Sequence, residues 1–226
     1  MTALFPDREE AARALAARLA DARLPPPVVV LALPRGGVPI AAVLARRLGA
    51  ALDLLLVRKI GAPWQPELAV AAVVDGGAPE LVVDEVMAAR TGADARYIEA
   101  EMQREWQEIL RRRALYLQGR AAVPVQGATV VLVDDGIATG TTVRAALKAL
   151  RRRGAARLVL AVPVAPHDTL TSLRNEFDDV ICLAEPMPFR AIGMHYVDFH
   201  QVSDAEVIAA LNAARAPAPD GSTAAG

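Results

Sequence analysis

The chain has 226 residues, 54% of them apolar, which suits one domain of moderate size with a substantial core. A formal net charge of −1 excludes the strongly cationic surface of a general nucleic-acid binder. Cys182, the single cysteine, excludes an internal disulfide and a multi-cysteine metal site.

Aromatic residues make up only 4%, so the core must come mostly from Val, Leu, Ile and Ala. No leader pattern is evident and no apolar run reaches membrane-spanning length, so the expected setting is cytoplasmic, without a membrane or nucleic-acid partner. The arginine clusters 111–113 and 151–153 fall in helical stretches, where a solvated face or helix end accounts for them.

In chain order, Asp7 to Arg23 has helical spacing, with Ala11, Leu15 and Leu19 on one face. Pro25-Pro26-Pro27 ends it. Val28 to Leu33 is a short apolar run read as the first core strand, and it leads into Pro34-Arg35-Gly36-Gly37. Val38 to Leu48 is helical up to the stop at Gly49. Leu52 to Val57 reads as the next strand, with Arg58-Lys59 at its end, completing a βαβ unit.

Ile60 to Leu81 keeps no firm pattern around an alternating piece, Leu68 to Val74, and reads as a hairpin arm or closing lid. Glu67 and Asp75 on it read as surface residues. Asp84 to Arg90 and Asp94 to Leu117 are helical, the second with Tyr97, Met102, Trp106, Ile109 and Leu110 as inward anchors. After the strand Val130 to Val133 come a helix from Val143 to Arg153 and a strand from Leu158 to Val164. A weak helix from His167 to Asn175 and a last core strand, Val180 to Ala184, follow. Cys182 lies in that strand and reads as a buried residue. Glu185 to Val202 settles into neither period. Ser203 to Ala214 is a helix with Ser203 and Glu206 in a capping-box pattern, and 215–226 has the composition of a disordered tail.

The chemistry gathers at 129–142, Thr-Val-Val-Leu-Val-Asp-Asp-Gly-Ile-Ala-Thr-Gly-Thr-Thr. A buried strand, a tight loop and a helix N-terminus in that order make an anion pocket, because backbone N–H groups and the helix dipole both favour a phosphate. Thr139, Thr141 and Thr142 add hydroxyls, while Gly136 and Gly140 let the backbone approach. Asp134 and Asp135 at the strand end suit sugar hydroxyls or magnesium-bound waters. The residues therefore predict a sugar-phosphate site. In a parallel sheet, the loops at 34–37, 58–67 and 134–142, each after a strand, can meet at one edge. No Walker lysine spacing, dinucleotide fingerprint, serine-hydrolase elbow or zinc His pair is present.

This stretch resembles the phosphoribosyl-diphosphate signature of the type I phosphoribosyltransferases. Leu33-Pro34-Arg35-Gly36-Gly37 and Val57-Arg58-Lys59-Ile60 resemble that family's diphosphate loop and the start of its mobile loop. The resemblance spans roughly residues 28–200 and is narrower with an uncharacterised bacterial branch of the family. It implies an α/β fold, a parallel twisted sheet with helices on both faces. The chain would form one such domain over 1–214, with a lid and helical insertion at about 60–120 and a hood at about 185–202.

The resemblance further implies a magnesium-dependent enzyme that uses phosphoribosyl diphosphate and releases diphosphate, and it suggests a homodimer. Ala138, Thr139, Gly140, Thr141 and Thr142 would wrap the 5-phosphate. Asp134 and Asp135 would engage the ribose hydroxyls, directly or through magnesium. Arg35, Gly36 and Gly37 would cradle the diphosphate, with an unusual peptide geometry in that turn. Lys59, with Arg58, would neutralise the departing charge.

Ala138 stands where 6-oxopurine-specific members usually carry an acid. Alanine cannot shuttle a proton, so hypoxanthine or guanine is disfavoured and the acceptor is an unidentified nitrogenous nucleophile. His195 and His200, with Tyr196 and Phe199, could line an acceptor pocket or simply pack a small subdomain. Two other readings stand beside transfer: a non-catalytic module sensing phosphoribosyl diphosphate or a nucleotide, and hydrolysis of a phosphosugar.

Overall fold

The computed structural model describes residues 3–76 and 78–214. The expected disordered tail, 215–226, lies outside the described residues. Helix α1 (Arg8–Ala20), capped by Asp7, precedes strand β1 (Val28–Ala32), helix α2 (Gly37–Leu48) and strand β2 (Ala51–Leu54). Strands β3 (Val57–Ala62), β4 (Gln65–Val74) and β5 (Glu80–Val83) follow, then α3 (Glu85–Thr91) and the long α4 (Ala95–Leu117). The second half alternates β6 (Thr129–Val133), α5 (Thr141–Arg152), β7 (Arg157–Val164), α6 (His167–Arg174) and β8 (Asp179–Ala184). A 3-10 turn at Ile192–His195 and α7 (Asp204–Ala213), which carries the expected capping box, complete it.

The fold is α/β. Five parallel strands pair in the order β2-β1-β6-β7-β8, and β3-β4-β5 form a separate antiparallel sheet. The central strands have no solvent-facing side. Val131, Val133, Val159 and Ala161 join the core shared with α1, α2 and α7. Their neighbours Val130, Leu132, Leu158 and Leu160 face the core of α5 and α6. Period-2 alternation therefore separates two apolar cores rather than core from water, which is why these strands read as continuous apolar runs.

The strand order determines where a ligand can sit. β1 connects through α2 to β2 on one side, whereas β6 connects through α5 to β7 on the other. The loops after β1 and β6 thus diverge from adjacent strands, paired through Ala32 and Val133. That crevice at the carboxyl ends is the topological switch point where open α/β sheets bind ligands.

The expected strand Leu52–Val57 is two strands. Leu55 N–H still donates to Ala32 in the parallel sheet, while the Leu56 carbonyl already accepts from Asp75 beside the antiparallel one. Both leucines are buried, so an unbroken apolar run hides the crossing between sheets. Arg58 and Lys59 consequently lie inside strand β3. The stretch from 60 to 81 is also more regular than its composition suggested: β4 spans ten residues, and its last five are all buried, which erases the alternation that marks a half-exposed strand. Only the outer part of the β3–β4 hairpin projects, with Trp64 93% exposed at its tip. Among the anchors expected on α4, Met102 and Ile109 are buried, but Leu110 points outward and Ile98 takes an inward place.

Candidate functional site

The 134–140 loop leaves β6 at the switch point and is held from several sides. Ile137, buried, donates its N–H to the Val164 carbonyl at the end of β7 (2.9 Å). Asp134 Oδ1 accepts the Asp135 N–H (2.9 Å). The Thr169 hydroxyl donates to the Ala138 carbonyl (3.0 Å). Arg144, one turn into α5, donates to the Thr139 carbonyl (3.0 Å), to Glu176 (2.8 Å) and to the Ser172 hydroxyl (3.0 Å). Sequence reasoning missed Arg144, because its role depends on α6 lying beside the loop.

Gly140 caps α5 with φ +76, a left-handed conformation that disfavours any residue with a Cβ. No capping side chain covers the first turn of α5, so its leading N–H groups point into the crevice with the helix dipole behind them. The hydroxyls of Thr139 and Thr141 stand 3.2 Å apart at the same place.

A pocket of about 180 Å³ results, lined by Lys59, Asp134, the run Gly136–Val143 and Ile192. Lys59 therefore reaches the loop from β3. Arg58 does not line this pocket; its guanidinium is tied to Glu105 of α4 (2.6 Å). On the β1 side the Pro34–Arg35 peptide is cis. Gly36 packs directly on the second acid: a Cβ there would lie 1.9 Å from Asp135 Oδ2. Arg35 approaches Asp204 at the start of α7 (3.7 Å), where the Tyr116 hydroxyl also donates (2.6 Å). The 34–37 turn and the acid pair are thus contiguous.

The two acids differ. Asp134 is half-buried and lines the pocket; Asp135 is turned away and buried. Asp135 Oδ2 accepts from Arg8 Nε (2.9 Å) and Nη2 (2.8 Å), and its backbone carbonyl accepts from the Tyr196 hydroxyl (2.7 Å). Burial, then the neighbouring Asp135 charge, raises Asp134 well above the ordinary carboxylate range. Burial also raises Asp135, against the opposing pull of Arg8.

Among the described residues no group of three or more His, Cys, Asp or Glu side chains could hold a metal alone. The donor set does suit magnesium, which keeps several waters and binds through one or two carboxylates plus substrate oxygens. Asp134 supplies one such carboxylate inside the pocket.

The histidines sit apart from this wall. His195 is buried against Phe189 (ring centroids 5.2 Å apart), and burial lowers its pKa. His200 is exposed and bonded to Glu206 (2.7 Å) and Asp198 (3.1 Å), whose hydrogen bonds raise its pKa. Neither lines the pocket that Asp134 and Lys59 share. Cys182 lies in β8, half-buried, with its thiol pushed up to about 11 by burial.

An α/β sheet with a pocket of about 180 Å³ at its switch point, Asp134 on its wall and Lys59 reaching in from β3, has the architecture of the ligand-binding open α/β proteins. The chain belongs to the phosphoribosyl transferase family: the model of the phosphoribosyl transferase domain matches residues 5–198. It is 46% identical over 211 residues to the Mycobacterium tuberculosis protein Rv0571c, provisionally named a phosphoribosyl transferase, covering 93% of this chain and 47% of that one. The chain thus spans about half the length of the curated relatives it matches. A ribose-phosphate pyrophosphokinase of Xanthomonas campestris is 34% identical over 87 residues, 38% of this chain and 27% of that one. Among solved structures, the TT1426 protein of Thermus thermophilus superposes with a TM-score of 0.80 at 44% identity, covering 92% of this chain and 97% of that one. Among the described residues no helix is long and apolar enough to cross a membrane.

Proposed function

We propose that the protein transfers the 5-phosphoribosyl group from phosphoribosyl diphosphate to a nitrogenous acceptor and releases diphosphate. The observation that carries this reading is the pocket that Lys59, Asp134 and the 136–143 run line at the switch point, with the 34–37 turn packed against the acid pair beside it. It offers one end of the donor a helix N-terminus with hydroxyls and the other end cations.

The 5-phosphate sits on the N–H groups and hydroxyls of 138–142, where its charge meets the α5 dipole. The ribose hydroxyls face Asp134. The diphosphate lies toward Arg35, Gly36, Gly37 and Lys59. As the anomeric C–O bond breaks, its electron pair leaves with the diphosphate, and Lys59 and Arg35 stabilise the growing negative charge. The acceptor nitrogen's lone pair forms the new C–N bond from the opposite face, and its proton then passes to solvent water. Asp134 would hold magnesium, which would supply charge neutralisation for the leaving group. The positive charge that develops on the ribose is favoured by the nearby carboxylate.

The side chain of Ala138 cannot carry a proton, which disfavours a 6-oxopurine, so the acceptor is a nitrogen already nucleophilic at neutral pH or one activated by another residue. The test is diphosphate release from phosphoribosyl diphosphate and magnesium across a panel of bases and amines. Acceptor-dependent release supports transfer. Binding with no release for any acceptor supports a sensor, and equal release without acceptor supports hydrolysis.

A further inference from the structure

The N-terminal segment is hydrogen-bonded to the 195–198 stretch. Leu4 and Phe5 N–H groups donate to the His195 carbonyl (2.9 and 3.0 Å). Val197 and Asp198 donate back to Phe5 and Pro6 (2.9 and 2.8 Å). Immediately after this exchange comes Arg8, 7% exposed, on the α1 face that also buries Ala11, Ala12 and Leu15. A charge on an apolar stripe needs partners. Arg8 has three kinds: both bonds to Asp135 Oδ2, a bond from Nη1 to the His200 carbonyl (2.9 Å), and the face of Phe199, 4.0 Å from the guanidinium carbon. Phe199 in turn stacks on Tyr196 (5.0 Å between centroids), whose hydroxyl holds the Asp135 carbonyl.

We propose that Arg8 is a positioning residue of this site: it clamps the 195–200 hood onto Asp135 and leaves Asp134 as the carboxylate of the pair that meets the ligand. A guanidinium is required, because a planar fork can hold a carboxylate and a carbonyl while stacking on a ring, whereas an ammonium cannot satisfy all three. With its Oδ2 engaged by Arg8 and Gly36 against it, Asp135 transmits the placement of α1 and the hood to both ligand loops. The consequence is a division of labour within a motif whose two acids look equivalent in sequence. The identity of the ligand rests on the transferase reading above; the clamp itself does not.

The experiment uses the full chain as wild type, R8M, R8K, D135N, D134N and the double variant R8M/D135N. Hydrogen–deuterium exchange of the 189–202 peptides and the affinity for magnesium–phosphoribosyl diphosphate, by calorimetry, are measured for each. R8M should speed exchange in 195–200 and weaken donor binding by about tenfold or more, the scale of losing a charged hydrogen bond. R8K should fall between R8M and wild type in both readouts, which a residue that merely fills space would not do. The double variant removes both charges and avoids a lone buried carboxylate, which keeps the test decisive if R8M folds poorly. It should bind no worse than the weaker single variant, because D135N removes only a contact that R8M has already broken. D134N should lose affinity with unchanged hood exchange.

Unchanged exchange in R8M, losses that multiply in the double variant, or a D134N that binds like wild type would each overturn the proposal. If the wild type takes up no phosphoribosyl diphosphate, the transferase reading falls, and the exchange measurements alone decide the clamp.

Discussion

Replacing Gly36 with alanine tests the contiguity of the two ligand loops most directly. Gly36 has φ −60 and ψ −34 as the cap of α2, an ordinary right-handed conformation. On backbone grounds alone, alanine should stabilise the fold by about 0.4–1 kcal/mol by restricting the unfolded chain. The surroundings oppose this. The new Cβ would fall 1.9 Å from Asp135 Oδ2 and 2.3 Å from its carboxyl carbon, and that carboxylate cannot swing aside without breaking its bonds to Arg8. Overpacking of this kind costs about 1–3 kcal/mol, so the clash outweighs the entropy gain. A net loss of about 1–2 kcal/mol corresponds to a melting temperature lower by roughly 2–8 °C for a domain of this size. Where the strain moves the 34–37 turn, donor affinity falls by about tenfold for each 1.4 kcal/mol. Thermal unfolding and calorimetry with magnesium–phosphoribosyl diphosphate measure both. A G36A protein that melts at or above the wild-type temperature and binds equally well would refute the reasoning, because only the backbone term would then be acting.

Four further predictions concern other parts of the molecule. Arg144→Ala removes the bonds to Thr139, Glu176 and Ser172 that hold the phosphate loop and should weaken donor binding by about 1–3 kcal/mol; binding within twofold of wild type would show that the loop holds its shape unaided. Arg113→Ala strips the cation from Asp75, which is 2% exposed and whose Oδ1 has no protein partner among the described residues, and should cost about 3 kcal/mol of stability. Burial raises Asp75 above its ordinary 3.8 despite Arg113 and Arg153. The folded chain therefore keeps that proton longer than the unfolded one, and stability from this group is lost as pH rises from 3.8 through the folded value. Urea titrations of Asp75→Asn across that window should show a flatter pH dependence than wild type, and an identical slope would contradict the assignment. With its thiol pushed up to about 11, Cys182 should be only about one part in a thousand thiolate at pH 8. Its native reaction with a disulfide reagent should be correspondingly slow and should accelerate in urea, whereas a rate like that of free cysteine would count against burial.

Much of this protein is legible from local pattern, because the relevant physics is local. The runs Val28–Leu33 and Val130–Val133 are too short and too β-branched for helices, and both are core strands. Ser203 and Glu206 cap α7 within one turn of chain. The strand, tight loop and helix start of 129–142 are legible because an apolar run, glycines, hydroxyls and an amphipathic segment follow one another without interruption, and β6 and α5 take those places. Local pattern fails where two apolar environments adjoin. Leu52 to Val57 reads as one strand because neither sheet leaves it a wet side, and β4 loses its alternation for the same reason. Nothing local could show that Asp135 would be claimed by Arg8, 127 residues earlier, or that Arg144 would brace the loop against α6. Nor could Arg58 and Lys59, adjacent in one strand, be told apart until alternation turned one toward Glu105 and the other toward the pocket. The elements and the chemistry of the phosphate loop are written in the chain itself, since they depend on residues within a few positions of each other. Which acid and which cation line the pocket is settled only in three dimensions, because strand order and long-range packing assign those partners.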